Sequence, residues 1–253
     1  MLKRVLTALV GIPIFLGLLY VGGVYLQIVL AVFVVLGIYE LSTFFGSDIY
    51  WDYLMLAGLS LLYFTYSGVS SSLLFFWFYA QLIYYFMRVI FGNQKPFKQA
   101  WHLIAVLYIA GLFSFLWLVR FDFGFHWVLF ALLVTWLTDT GAYFTGIYLG
   151  KHKLAPSISP NKTIEGALGG LVAATLVGIG YALMLGHSWM HIGLLAVLLS
   201  IVGQVGDLVE STMKREQTVK DSGKILPGHG GVLDRFDSLL FVLPVLYLIL
   251  SIA

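Results

Sequence analysis

Residues 127–150 of the chain read WVLFALLVTWLTDTGAYFTGIYLG, a stretch in which Asp139 is the single charged side chain. An α-helix rises about 1.5 Å per residue, so a stretch of this length is long enough to cross the apolar core of a bilayer. The whole chain has the same character: 60% of its residues are hydrophobic and 10% are charged, with a mean hydropathy of +0.96, whereas soluble domains have about 25% charged residues. The sequence therefore predicts an integral membrane protein.

Apolar runs recur along the chain and predict an all-α polytopic integral membrane protein with about nine transmembrane helices. The spans are expected at residues 5–21, 24–45, 53–67, 71–91, 101–119, 126–149, 166–186, 190–211 and 236–252. Residues 1–125 would hold roughly five of them, in an N-terminal part whose role the sequence leaves open. Residues 126–253 would form a C-terminal part that carries the polar motifs.

The distribution of basic residues predicts the orientation, because short loops rich in Lys and Arg remain in the cytoplasm. With the N-terminus in the cytoplasm, thirteen of the fourteen basic residues fall on the cytoplasmic side, and only Arg120 falls outside. A missed or false span would reverse every later segment and spoil this asymmetry. We therefore expect a cytoplasmic N-terminus, a C-terminus outside, and the polar segments 150–165 and 212–235 on the cytoplasmic side.

Several classes of site are excluded or disfavoured by the sequence. The chain has no cysteine, which excludes disulfides and thiolate metal sites, and its net charge of +2 gives no reason to expect nucleic acid as a partner. His187 and His191 have the spacing of a zinc pair, but no third ligand is evident. Neither a P-loop nor a GxGxxG pattern is present, so nucleotide binding would use another device.

Acidic residues inside apolar spans are the first candidates for a site. An ionised carboxylate such as that of Asp139 costs about 2.5 to 3.5 kcal/mol at the centre of a membrane helix, so something must compensate it. The alternatives are a structural hydrogen bond to a neighbouring helix or a place in a functional cavity. Glu40 in the second span raises the same question, but no other residue supports it and it is left out of the predicted site.

The sequence GDLVES places Asp207, Glu210 and Ser211 on one face of the eighth span. Two carboxylates this close repel each other, and Mg²⁺ would relieve the repulsion, since it takes one or two carboxylates and completes its shell with water and phosphate oxygens. The alternative is a solvated helix end with salt bridges to Lys214 and Arg215.

Two polar segments predict contacts with phosphate. In GKHKLAPSISPNKTIEGALGG, Ser159 followed by Pro160 indicates a helix start, whose free amides attract anions, although any cytoplasmic loop would show similar lysines. Gly166 with Gly170 indicates close helix packing.

Residues 211–238 read STMKREQTVKDSGKILPGHGGVLDRFDS and interleave basic and acidic residues with glycines. Such a block is typical of a nucleotide-phosphate site, and the alternative is a solvated charged face.

The pattern S-x-M-K-R-x4-K-D-x-G-x2-L-P-x-H-G-G-V-x-D-R-F-D, from Ser211 to Asp237, resembles the signature of the phosphatidate cytidylyltransferases, also called CDP-diacylglycerol synthases. The stretches TDTGAYFTG around Asp139, SPNKTIEG from Ser159 and GDLVES from Gly206 are also similar to that family. The motifs cover residues 135–238, whereas the first half resembles the family only in being hydrophobic and polytopic.

The resemblance implies that CTP and phosphatidic acid become CDP-diacylglycerol and pyrophosphate, with Mg²⁺ as cofactor and a second cation beside it as an option. It implies that residues 126–253 are the catalytic part of a protein of the plasma membrane, with an active site at headgroup depth on the cytoplasmic side, no nucleic acid partner, and a homodimer as an option. The metal ligands would be Asp139, Asp207, Glu210 and Asp221. The catalytic residues that neutralise phosphate or orient the loop would be Lys214, Arg215, Lys220, Asp221, His229, Asp234, Arg235 and Asp237. The substrate-binding residues would be Lys151, Ser159, Asn161, Lys162, Thr163 and Glu165.

Two other functions are compatible with parts of the pattern. A CTP-using lipid kinase or another phospholipid transferase would share the substrates, although the DGxxAR pattern of CDP-alcohol phosphotransferases is absent. An ion-coupled transporter would also carry carboxylates inside the membrane, but it would not need the charged block.

Overall fold

The structure is a computed structural model that describes residues 2–44, 58, 60, 71–91, 106–216, 218–219, 221–223 and 230–252. Helices make up most of it. They are α1 (Leu2–Val21), α2 (Gly23–Phe44), α3 (Ser71–Phe91), α4 (Leu112–Leu118), α5 (Phe125–Leu149), α6 (Ile164–Leu185), α7 (Trp189–Glu216) and α8 (Leu233–Ile252). Two π-helical turns, Leu107–Gly111 and Val119–Phe123, flank α4.

The sequence-based prediction of a helical membrane protein is confirmed at this level. Among the described residues, five helical segments are long and apolar enough to cross a membrane: Gly23–Leu41, Phe125–Leu149, Ile164–Leu185, Trp189–Glu216 and Leu233–Ile252. The predicted span at residues 53–67 lies outside the described residues except at positions 58 and 60. The number of nine spans and the orientation of the termini stay predictions.

A short hairpin corrects the predicted helix start at Ser159. Strands β1 (Lys153–Ala155) and β2 (Ser159–Thr163) pair antiparallel between α5 and α6. Pro160 has no amide proton and a backbone angle that suits a strand as well as a first helical turn, and here the pairing with β1 takes it into β2. The helix begins four residues later, with Thr163 as its N-cap.

The chain divides into two compact units, each with its own internal packing. One unit contains Met1–Asp122 and Asp221–Arg235, and the other contains Phe123–Lys220 and Phe236–Ala253. Most of the charged block after Lys220 is thus grouped with the N-terminal helices. The division of the chain into residues 1–125 and 126–253, with separate roles, stays a prediction.

Glycines allow α5 and α6 to pack with their backbones in close approach, as the sequence predicted for Gly166 and Gly170. A Cβ atom on Gly166 would lie 2.8 Å from the Ala142 carbonyl oxygen, and one on Gly170 would lie 2.9 Å from that of Thr138. Both glycines are buried. The packing role of the two glycines is therefore confirmed, and it brings the C-terminal half of α5 against the first half of α6.

Arg120, the single basic residue that the orientation rule leaves outside, has a structural task in the first unit. Its Nε atom donates to the Leu19 carbonyl oxygen at 2.6 Å, and its Nη2 atom donates to that of Tyr20 at 2.8 Å. The last carbonyl groups of a helix lack partners within the helix, and a cation there also interacts favourably with the helix dipole. Arg120 therefore caps the C-terminus of α1.

Candidate active site

The second unit contains a cavity of about 480 Å³, enough for a small ligand. Its polar lining comes from α5, the hairpin and α7, and Tyr143, Ile147 and Leu154 supply apolar surface. Among the residues predicted for the site, the structure brings five to this cavity: Asp139, Asn161, Lys162, Thr163 and Asp207.

The start of α6 forms one wall of the cavity. Thr163 is extended, and its Oγ1 atom accepts a hydrogen bond from the Gly166 amide at 3.1 Å, which caps the helix. Gly146 of α5 and Gly166 of α6 also line the cavity. The Ile164 amide donates to the His152 carbonyl oxygen at 2.9 Å, so this amide and that of Gly166 are already hydrogen-bonded, and the attraction of this wall for an anion comes from the helix dipole.

An ion pair crosses the cavity lining between the hairpin and α7. The Nζ atom of Lys162 lies 2.5 Å from the Oδ2 atom of Asp207, and each side chain is little more than a quarter exposed, at 28% and 27%. The Oδ1 atom of Asp207 accepts a hydrogen bond from Ser211 at 3.2 Å. Ser211 therefore holds one carboxylate oxygen of Asp207, while the side chains of both Asp207 and Lys162 stay partly exposed.

Glu210 and Lys214 form a second pair, one helical turn apart on α7. The Lys214 Nζ atom donates to Glu210 Oε2 at 2.9 Å, and the exposed fractions of the two side chains are 11% and 2%. Arg215 instead donates to two backbone carbonyl oxygens, those of Ile158 and Val219, both at 3.0 Å. Lys162 and Lys214 thus relieve the repulsion between Asp207 and Glu210. The alternative interpretation, in which these carboxylates form salt bridges to Lys214 and Arg215, holds for Lys214, whereas the contacts described for Arg215 are with backbone oxygen atoms.

The acidic residues of the second unit fit a cation that arrives with a phosphate ligand. In the part of the chain that the structure describes, no group of three or more His, Cys, Asp or Glu side chains is arranged to hold a metal ion. Asp139 and Asp207 do line the same cavity with hard oxygen donors. Mg²⁺ is usually bound by one or two carboxylates together with water and substrate phosphates, and these two residues fit that mode.

The other predicted substrate-binding residues are in the hairpin region but not in the cavity lining. Ser159 pairs with Ala155 in the hairpin. Glu165 accepts hydrogen bonds from the backbone amides of Lys151 at 3.0 Å and His152 at 3.2 Å, and it contacts the His152 ring at 2.6 Å. Glu165 therefore ties the base of the hairpin to the first turn of α6.

The charged block contributes to both units. Asp221, Asp234 and Arg235 belong to the first unit, whereas Asp237 belongs to the second. The Asp234 Oδ2 atom accepts hydrogen bonds from the Ser222 amide and the Gly231 amide, both at 2.8 Å, so it orders the loop around it. The Oδ1 atom of Asp237 accepts a hydrogen bond from the Ser238 amide at 2.6 Å. Lys220 and His229 lie outside the described residues.

Sequence reasoning missed several residues. Tyr143 and Gln204 line the cavity, and the Gln204 amide group donates to the Ala167 carbonyl oxygen at 3.4 Å. Tyr143 lies within the TDTGAYFTG stretch, so its place in that motif could have indicated it as a site residue. Glu40 was left out, but the structure gives it three hydrogen bonds to the charged block, and no local pattern around Glu40 indicates them.

The fold and the cavity together define a helical membrane protein with a partly polar cavity, and comparison with known proteins gives its family. The pattern of the cytidylyltransferase family matches residues 2–253. Because that match covers almost the whole chain, the protein belongs to the cytidylyltransferase family. The resemblance noted in the sequence is thereby confirmed.

Individual relatives carry a more specific name. A protein of Staphylococcus haemolyticus named phosphatidate cytidylyltransferase is 51% identical over 166 residues, which are 64% of this chain and 63% of the relative. A protein of Staphylococcus aureus with the same name is 49% identical over the same shares of the two chains. The chain thus spans less than two thirds of the staphylococcal relatives. A protein of Bacillus subtilis with this name is 37% identical over 100% of this chain and 98% of its own length.

Proposed function

We propose that the protein is a phosphatidate cytidylyltransferase, which converts CTP and phosphatidic acid into CDP-diacylglycerol and pyrophosphate. The observation that carries this proposal is the Lys162–Asp207 pair in a cavity at the start of α6. A cation and a carboxylate beside the positive end of a helix dipole are suited to a metal-bound triphosphate. The names of the relatives and the signature from Ser211 to Asp237 support the same reaction.

In the proposed reaction a phosphatidate oxygen attacks the α-phosphorus of CTP. The new phosphorus–oxygen bond forms while the bond from the α-phosphorus to the bridging oxygen breaks, and pyrophosphate leaves in line with the attacking oxygen. Phosphatidate is already an anionic nucleophile, so no strong general base is needed. Catalysis then consists mainly of positioning and charge neutralisation.

The residues of the cavity have distinct proposed tasks. Lys162 and Asn161 would contact phosphate oxygens, while Asp139 and Asp207 would hold Mg²⁺. The cation, when bound, would supply charge neutralisation at the phosphates. Lys162 would exchange Asp207 for a phosphate oxygen when the nucleotide enters, since both partners of the pair are accessible from the cavity.

Other predicted residues have supporting or still untested roles. We propose that Arg215 and Glu165 fix the hairpin, because their contacts are with backbone groups at its two ends. Lys214 would hold Glu210 in place as a further candidate metal ligand. The metal role of Asp221 and the catalytic roles of Asp234, Arg235 and Asp237 rest on the signature.

We propose that the protein lies in the plasma membrane with nine spans, a cytoplasmic N-terminus, a C-terminus outside and an active site that faces the cytoplasm. The distribution of basic residues supports this orientation. CTP would enter from the cytoplasm and phosphatidic acid from the bilayer. A homodimer remains an option, and no nucleic acid partner is expected.

Label transfer from CTP distinguishes this function from that of a CTP-using lipid kinase. Purified protein would be given Mg²⁺, phosphatidic acid, diacylglycerol as the hydroxyl acceptor that a kinase needs, and CTP labelled at either the α- or the γ-phosphorus. We expect α-label in the extracted lipid and γ-label in pyrophosphate, with no transfer when phosphatidic acid is omitted. Appearance of γ-label in the lipid would indicate a kinase, and absence of transfer with either label would contradict both functions.

A further inference from the structure

Glu40 is a buried acidic residue in a helix that sequence reasoning left without a role. It lies near the end of α2, its exposed fraction is 1%, and no other acidic residue occurs in the first 47 positions of the chain. A carboxylate in such an apolar setting is costly unless hydrogen bonds satisfy its oxygen atoms. The question is which groups satisfy them.

Three hydrogen bonds join Glu40 to the charged block. Its Oε1 atom accepts from the Val232 amide at 2.9 Å, and its Oε2 atom accepts from the Leu233 amide at 3.0 Å and the Ser222 hydroxyl at 3.2 Å. Val232 and Leu233 are at the start of α8, where amides lack partners within the helix. Glu40 therefore caps α8 from a position 192 residues away in the chain.

A second carboxylate, that of Asp234 within the charged block itself, also binds Ser222. The Oδ2 atom of Asp234 accepts hydrogen bonds from the Ser222 amide at 2.8 Å, the Ser222 hydroxyl at 2.9 Å and the Gly231 amide at 2.8 Å. Ser222 thus lies between Glu40 and Asp234. The two carboxylates therefore hold Ser222, which follows the predicted metal ligand Asp221, and the residues from Gly231 to Leu233.

Glu40 occupies space that is free because two residues of the signature are glycines. A Cβ atom on Gly223 would lie 2.8 Å from Glu40 Oε1, and one on Gly231 would overlap Glu40 Oε2 and the Ser222 hydroxyl. Neither glycine has a positive φ angle, so close approach of Glu40 and Ser222 explains why glycine stands there. Because positions 223 and 231 of the charged block have no side chain, there is room for the Glu40 carboxylate of α2.

We infer that Glu40 is a positioning residue for the reaction: it anchors Ser222, Val232 and Leu233 and so fixes the placement of Asp221 and Asp234, their neighbours in the chain. This inference rests on the proposed function. It also gives the N-terminal helices a task, since α2 supplies the anchor for the signature loop. Misplacement of a positioned group by about 1 Å can cost a factor of about 100 in rate.

Three variants test the inference in the full-length protein in detergent. Glu40→Ala removes all three acceptor contacts, and we expect kcat per folded molecule to fall about a hundredfold. Glu40→Gln retains one acceptor oxygen, and we expect it to recover about a tenth of the wild-type rate. Leu30→Ala truncates a fully buried side chain of the same helix and is the matched control. It should lower the thermal midpoint but leave kcat and KM per folded molecule within about twofold.

Hydrogen exchange gives a readout that does not depend on activity. In Glu40→Ala, the Val232 and Leu233 amides should exchange at least about tenfold faster than in the wild type, while Leu30→Ala should not single them out. Wild-type kcat together with unchanged exchange in Glu40→Ala would overturn the inference, as would a loss of activity that Leu30→Ala reproduces. An inert wild type would overturn the proposed function and the positioning role, although the exchange result would still decide whether Glu40 anchors the loop.

Discussion

Replacement of Asp207 by asparagine is expected to lower kcat about a thousandfold, which corresponds to about 4 kcal/mol of lost transition-state stabilisation. Asp207 lines the cavity and pairs with Lys162 at 2.5 Å. Asparagine keeps the shape of the side chain but removes the charge that would hold a cation beside the phosphates. Steady-state pyrophosphate release by the purified variant measures this effect.

Glu216→Gln is the matched control for this substitution. Glu216 is an exposed acidic residue at the end of the same helix, and the cavity lining does not include it. Its change to an amide should leave kcat within about twofold of the wild type. An Asp207→Asn variant that keeps more than about a tenth of the wild-type rate would contradict the role of Asp207.

Replacement of Lys162 by methionine is expected to lower kcat/KM for CTP about a hundredfold. The change removes a charge-assisted contact to phosphate and leaves the Asp207 carboxylate, 27% exposed, without its partner. Lys162→Arg keeps the charge with a different shape and should recover part of the loss. Initial rates over a range of CTP concentrations separate the effects on KM and kcat.

The double variant Lys162→Met/Asp207→Asn tests whether the two residues act as a unit. Because each single change also disturbs the partner, we expect the combined loss in kcat/KM to be smaller than the product of the single losses. Losses that multiply would mean that the two side chains act independently, and would contradict exchange of Asp207 for phosphate by Lys162.

Helices were well predicted wherever long apolar runs determine them. The expected span at residues 71–91 has the observed bounds of α3, and that at residues 126–149 differs from α5 by one residue. Helix α7 continues five residues beyond its predicted end at residue 211, because the Glu210–Lys214 pair stabilises its last turns. The hairpin was missed because strands of three and five residues are too short for a periodic pattern.

The candidate site was accessible to sequence reasoning where its residues lie in local motifs. Asp139, Lys162 and Asp207 stand in three separate short stretches, and the structure brings them to one cavity. Glu40 could not be found in this way, because two of its partners are backbone amides far along the chain. Local spacing carries information about neighbours on a helix face, but not about contacts that only the tertiary fold creates.

Pyrophosphate release by the purified protein tests the central claim most directly. CTP, phosphatidic acid and Mg²⁺ would be supplied together and then omitted one at a time, with Asp221→Ala measured beside the wild type. We predict release only when all three are present, and its loss in Asp221→Ala at saturating Mg²⁺. Absence of release from folded protein with several phosphatidic acids, or release that does not require the lipid, would contradict the account.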